Sequence, residues 1–178
     1  MTNPLTIIIF GATGDLYQNK LALALFSLFS SDLLPADFQI VGFARRVLSD
    51  LDFQSFTRDA LVAKNKDMEK TKLDKFLTHL KYFQGDLENL ESFKNLSKQL
   101  ALDDEKKGIC SNKLFYLAVP PSLYGIIFQN ISNAGLTVPC APSVEKKPAR
   151  NAFSIADAGG HLFLNFFFCC QRVVVHGN

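Results

Sequence analysis

Two glycines three positions apart, in Gly11-Ala12-Thr13-Gly14-Asp15-Leu16, carry the first chemistry this chain offers. A glycine directly after an apolar run permits a sharp turn. A second one lets the backbone amides that open a helix approach a phosphate, and the partial positive charge at the helix start favours the same anion. The spacing is G-x-x-G rather than the longer G-x-G-x-x-G, so its meaning depends on what flanks it. Arg45-Arg46 is the second feature. Dinucleotide sites usually read a ribose 2′-hydroxyl with an acid at the end of the second strand, whereas a 2′-phosphate calls for an arginine and no acid. Arginine's planar fork holds a phosphate through two parallel hydrogen bonds and stacks on adenine, which makes Arg45 the natural reader of NADP.

The elements around these residues must place both at one end of a sheet. Residues 5–10 (LTIIIF) form a short, β-branched, wholly apolar run, the pattern of a strand buried on both faces. Residues 14–29 repeat apolar side chains at helical spacing, and residues 38–44 (FQIVGFA) follow Pro35 as a second buried strand. Strand, helix and strand make a right-handed βαβ unit, whose ligands sit beyond the carboxyl ends of the strands. Gly11 to Asp15 and Arg45-Arg46 fall at those ends.

Further along, residues 51–63 and 70–80 read as amphipathic helices, 81–84 as a short strand, 89–102 as a helix and 113–119 (KLFYLAV) as another buried strand. Pro120-Pro121 stops that strand, and a last helix runs to a glycine terminator at Gly135. Alternation of this kind predicts an α/β fold, a Rossmann-like doubly wound parallel sheet in a single domain. The domain spans residues 1–142. Residues 143–178 form an atypical tail of uncertain structure, separated by the Pro-rich and charged stretch 139–150.

Composition narrows the classes. A net charge of +2 on 178 residues gives no general attraction to nucleic acid or to an anionic membrane. The apolar run at 162–170 is far shorter than the roughly 20 residues needed to cross a bilayer. Met1 to Pro4 shows neither a signal-type nor a transit-type pattern, which favours the cytoplasm. Cys110, Cys140, Cys169 and Cys170 lack C-x-x-C spacing, so neither a metal site nor a disulfide is expected and the thiols read as inert.

Taken together, I-I-F-G-A-T-G-D-L with Lys20, I-V-G-F-A-R, and L-F-Y-L-A-V-P-P-S-x-Y resemble the amino-terminal NADP-binding domain of glucose-6-phosphate dehydrogenase. The resemblance covers residues 5–142. It implies oxidation of the C1 hydroxyl of glucose 6-phosphate, with hydride passing to NADP, to give 6-phosphogluconolactone at the start of the pentose phosphate pathway. It further implies that Gly11, Ala12, Thr13, Gly14, Asp15 and Leu16 cradle the pyrophosphate and that Arg45 holds the 2′-phosphate. Pro120, Pro121 and Tyr124 would line the nicotinamide side, and Lys20 would face the substrate. The family is oligomeric.

The chain also departs from the family. Tyr17 stands where a small alanine usually lets the helix pack closely on the strand, so its ring is expected to widen that contact. The E-K-P-F-G segment, whose lysine contacts substrate and cofactor, does not follow Pro142. The R-I-D-H-Y-L-G-K segment, whose histidine serves as general base, does not occur. His79, His161 and His176 lack its context, so no residue is assigned as catalytic. The expectation is a cofactor-binding fragment inactive alone, its Phe-rich tail reading as an out-of-frame or unspliced extension. The alternative is a non-catalytic NADP-sensing module.

Overall fold

In the computed structural model, residues 4–65 and 68–138 are described together with the backbone of three short strands at Ala152–Ser154, Asn165–Phe167 and Gln171–Val175. Cys140, Cys169, Cys170, His161, His176 and the boundary at 139–150 lie outside the described residues.

Strand β1 (Leu5–Phe10) occupies the middle of the sheet, because a run apolar but for Thr6 is stable only when covered from both sides. It pairs in parallel with β2 (Phe38–Ala44), Ile7 opposite Ile40, and with β4 (Asn112–Leu117), Ile7 opposite Leu114. β3 (Leu80–Gln84) continues the sheet beyond β2, with Ile40 opposite Leu80. β5 (Ala152–Ser154) and β6 (Asn165–Phe167) form a separate antiparallel pair, and β7 (Gln171–Val175) lies parallel to β4. The main sheet therefore runs β3-β2-β1-β4-β7.

Helices cover both faces, and the period of two along the strands divides the core between them. Ile7, Ile9 and Ile40 meet α1 (Ala22–Ser30), α2 (Asp50–Lys64) and α3 (Lys70–Thr78) through Leu25, Phe53, Leu61 and Phe76. Ile8, Phe10, Val41 and Phe43 meet α4 (Leu90–Lys107) and α5 (Tyr124–Asn133) through Phe93, Leu96, Ile127 and Ile131. The expected α/β doubly wound sheet is the observed one.

Three local expectations change. Helix α4 continues to Lys107 rather than stopping near 102, because Asp104 turns inward to an ion pair with Lys113, and Gly108, at φ 62°, supplies the left-handed cap. The Tyr17 ring is taken up by α2. It is fully buried, stacks on Phe53 and Phe56 of α2, and its hydroxyl lies 2.8 Å from Thr57 Oγ1. Burial disfavours the charged form and pushes the pKa of that phenol well above its ordinary range. Finally, Cys110 is disulfide-bonded, contrary to the expected inert thiol, since spacing along a chain does not reveal which sulfurs approach in space.

Candidate functional site

The Gly11 to Leu16 turn is built by the three central strands acting together. The amides of Gly11 and Ala12 both reach the Phe43 carbonyl at the end of β2, at 2.9 and 3.4 Å, and the Ala118 amide donates to the Phe10 carbonyl. Gly11 has φ 83°, and a Cβ there would stand 2.4 Å from the Ala118 carbonyl oxygen. Only glycine combines that dihedral with so close an approach to the end of β4. The Gly14 amide then returns to the Gly11 carbonyl, and the helix starts at Asp15. Its first backbone amides have no carbonyl of their own helix to meet, so an anion can be held there.

The first helical turns are irregular. A π-turn occupies Tyr17–Leu21 before α1, a geometry often found beside functional sites. Tyr17 and Leu21 point inward from it, while Lys20 is exposed.

At the end of β2 the chain passes through Arg45 and Arg46, both exposed, to the capped start of α2. Ser49 accepts from the Asp52 amide at 3.1 Å, and Asp52 accepts from the Ser49 amide at 2.9 Å, which closes a capping box. The Ser49 hydroxyl, donating to Asp52 Oδ2 at 2.7 Å, and after it the Ser49 amide hold the Asp52 carboxyl below its ordinary range. From β3, the Tyr82 hydroxyl lies 3.1 Å from the Ala44 carbonyl and 2.7 Å from that of Arg46. Burial raises the Tyr82 phenol, and the Arg46 guanidinium partly offsets the shift.

After β4, Pro120 and Pro121 are exposed and lead through a 3₁₀ turn, Pro121–Leu123, into α5. Tyr124 opens α5 half-buried. It stands close enough to Tyr116 to add to the burial that pushes the Tyr116 phenol up to about 12. The structure thus brings Gly11 to Leu16, Arg45 and Pro120 to Tyr124 to the carboxyl ends of β1, β2 and β4. Lys20 follows the turn on the exposed side of the π-turn.

His79 belongs to the opposite end. It precedes β3, its Nδ1 is 2.9 Å from the Phe38 carbonyl, and its ring stacks on Phe38 at 4.1 Å. It serves to join the amino-terminal ends of β2 and β3. Among the described residues no cluster of acids, cysteines and histidines could hold a metal ion. No described helix is long and apolar enough to cross a membrane.

Residues 8–149 match the family described as Glucose-6-phosphate dehydrogenase, NAD binding domain. The chain belongs to this family. A glucose-6-phosphate 1-dehydrogenase of Schizosaccharomyces pombe is 36% identical over 128 residues, 70% of this chain and 25% of that protein. The cytoplasmic glucose-6-phosphate 1-dehydrogenase 5 of Arabidopsis thaliana is 39% identical over 128 residues, again 25% of its length. A chloroplastic form from the same plant matches as well. Among solved structures, a glucose-6-phosphate dehydrogenase in complex with glucose 6-phosphate superposes with a TM-score of 0.67 at 28% identity, over 84% of this chain and 32% of that one. The glucose-6-phosphate 1-dehydrogenase of Mycobacterium avium superposes with a TM-score of 0.65 at 26% identity, over 75% and 27%. The chain spans about a quarter of the length of these relatives, the quarter that carries the dinucleotide-binding sheet.

Within the glucose-6-phosphate dehydrogenase framework, the residues that sequence reasoning passed over are those behind the arginines. Residues 81–84 read only as a short strand, and nothing in a strand pattern says that the Tyr82 hydroxyl reaches the backbone of a neighbouring loop. Ser49-x-x-Asp52 carried a legible signal, since a serine three residues before an acid is a helix-start signature.

Proposed function

We propose that this chain is the cofactor-binding part of a glucose-6-phosphate dehydrogenase and that it prefers NADP to NAD. The observation that carries the reading is the end of β2, where Arg45 and Arg46 are exposed beside the Gly11 to Leu16 turn. The nearby acids of α2 are engaged elsewhere, Asp50 with Lys81 and the Tyr82 amide, Asp52 with Ser49. A ribose 2′-hydroxyl finds no acid waiting at the strand end, whereas a 2′-phosphate meets a guanidinium.

In this reading the Gly11 to Leu16 turn cradles the pyrophosphate, Arg45 holds the 2′-phosphate, and Pro120, Pro121 and Tyr124 border the nicotinamide. Lys20 faces glucose 6-phosphate. NADP supplies the hydride acceptor for oxidation of the sugar at C1, the reaction that opens the pentose phosphate pathway. The family relatives include a cytoplasmic protein, and the cytoplasm is the compartment we assign.

Calorimetric titration tests the assignment. Arg45→Ala should weaken NADP binding by roughly tenfold to a hundredfold, the range for a lost charge-assisted phosphate contact, while NAD binding changes little. Equal losses for the two dinucleotides would remove Arg45 from the role. These 178 residues are also expected to bind NADP without oxidising glucose 6-phosphate, because the described histidine stands at the wrong end of the sheet and the family's histidine segment does not occur. Reduction of NADP by the purified chain, followed at 340 nm, would contradict that expectation.

A further inference from the structure

The backbone that carries Arg45 and Arg46 is held at three points by groups outside it. The Tyr82 hydroxyl bridges the carbonyls of Ala44 and Arg46, at 3.1 and 2.7 Å, so its single proton is shared between the two sides of Arg45. The Ala44 carbonyl also accepts from the Gly85 amide at 3.0 Å, which occupies its second lone pair. One turn on, Asp50 at the start of α2 accepts from the Tyr82 amide at 2.7 Å and from Lys81 Nζ at 3.0 Å. The Tyr82 ring packs against Phe53 of α2, with centroids 5.3 Å apart.

We infer that Tyr82 is a positioning residue for dinucleotide selectivity, its hydroxyl fixing the turn from which the arginines project so that a 2′-phosphate meets a preformed guanidinium. The inference rests on the assignment of Arg45 as the phosphate reader. The physical argument is preorganisation. An exposed turn between strand and helix must otherwise be ordered when the phosphate binds, and that ordering subtracts from affinity. A hydroxyl that spans both carbonyls flanking Arg45 ties down the residue whose side chain needs a fixed origin. It touches neither the pyrophosphate turn nor the nicotinamide side, so its effect falls on the dinucleotide that carries the extra phosphate.

Tyr82→Phe removes the hydroxyl and keeps the ring on Phe53. Titration of the full chain with NADP and with NAD should show a loss of about five- to tenfold for NADP, the worth of one hydrogen bond, and less than about twofold for NAD. Introduced into Arg45→Ala, the same change should cost nothing further for NADP, since the guanidinium assigned to the 2′-phosphate is gone. Thermal unfolding of each variant accompanies the titrations. Equal losses for the two dinucleotides, or additive losses in the double variant, would make Tyr82 merely structural and overturn the inference. A selective NADP loss in Arg45→Ala with none in Tyr82→Phe would overturn it while leaving the phosphate reader standing. An Arg45→Ala chain that keeps its NADP preference would overturn both.

Discussion

Replacing Gly11 by alanine should cost roughly 3 kcal/mol of folding stability and abolish dinucleotide binding at millimolar ligand, the sum of left-handed backbone strain and an overpacked contact. The new Cβ would arrive 2.4 Å from the Ala118 carbonyl oxygen and 2.7 Å from a methyl of Val119, at a φ of 83° that L side chains rarely adopt. The obstacle is backbone, which cannot rotate away as the tip of a side chain would. Relief requires β1 and β4 to separate at their carboxyl ends, and the Phe10 carbonyl then loses the amide of Ala118. Urea unfolding and calorimetry measure the two losses separately. Gly125→Ala is the control, because nothing lies within 4 Å of its Cβ and it sits inside α5. That change should leave binding intact and raise stability by about 0.5–1 kcal/mol. Similar results for the two substitutions would show that the close approach at Gly11 is not what limits the turn.

Asp104→Ala should cost about 3–5 kcal/mol of stability and leave dinucleotide affinity unchanged, since it breaks a buried ion pair and strands the partner charge. Asp104 Oδ2 lies 2.8 Å from Lys113 Nζ, with the two side chains only 9% and 12% exposed. Its other oxygen accepts from Ser111 Oγ at 2.7 Å. Behind that serine runs a directed chain in which Gln39 donates to Thr6 Oγ1 at 3.1 Å and Thr6 donates to Ser111 at 3.0 Å. The carboxylate therefore terminates a polar relay through β2, β1 and the approach to β4, and each bond polarises the next. Asp104→Asn keeps the shape and should cost less. All of these groups gather at the amino-terminal ends of the strands, a full strand length from Gly11 and Arg45. A fall in NADP affinity that matched the fall in stability would show that the two ends of the sheet are coupled.

What could be read from the sequence follows from which patterns are local. β1, β2 and β4 were legible because strands covered on both faces are predominantly apolar, and the turn at Gly11 because a glycine directly after such a strand permits a sharp turn. The placement of Arg45 at the end of β2 was legible because it depends on position in a βαβ unit rather than on distant partners. The end of α4 was not, since Asp103, Asp104 and Glu105 look like a solvated exit until Lys113 is seen to lie beneath Asp104. Tyr82 was not, because its hydroxyl acts 36 residues away in the chain, on Arg46. The destination of the Tyr17 ring depended on the arrival of α2, and the Cys110 disulfide on a spatial meeting that spacing does not encode.

The contact between Asp50 and the Tyr82 amide has a consequence for association. β3 is an outer strand of the sheet, and its His79 carbonyl and Gly85 amide bond toward β2, so the amide of Tyr82 faces away from it. An outward amide is what an incoming strand of another molecule would seize. Here the Asp50 carboxylate already occupies it, with the Lys81 ammonium bound to the same carboxylate. A visiting strand must displace a charged, hydrogen-bonded pair before its first ladder bond forms. The side of the sheet that bears the arginines is in this way guarded against edge-to-edge growth.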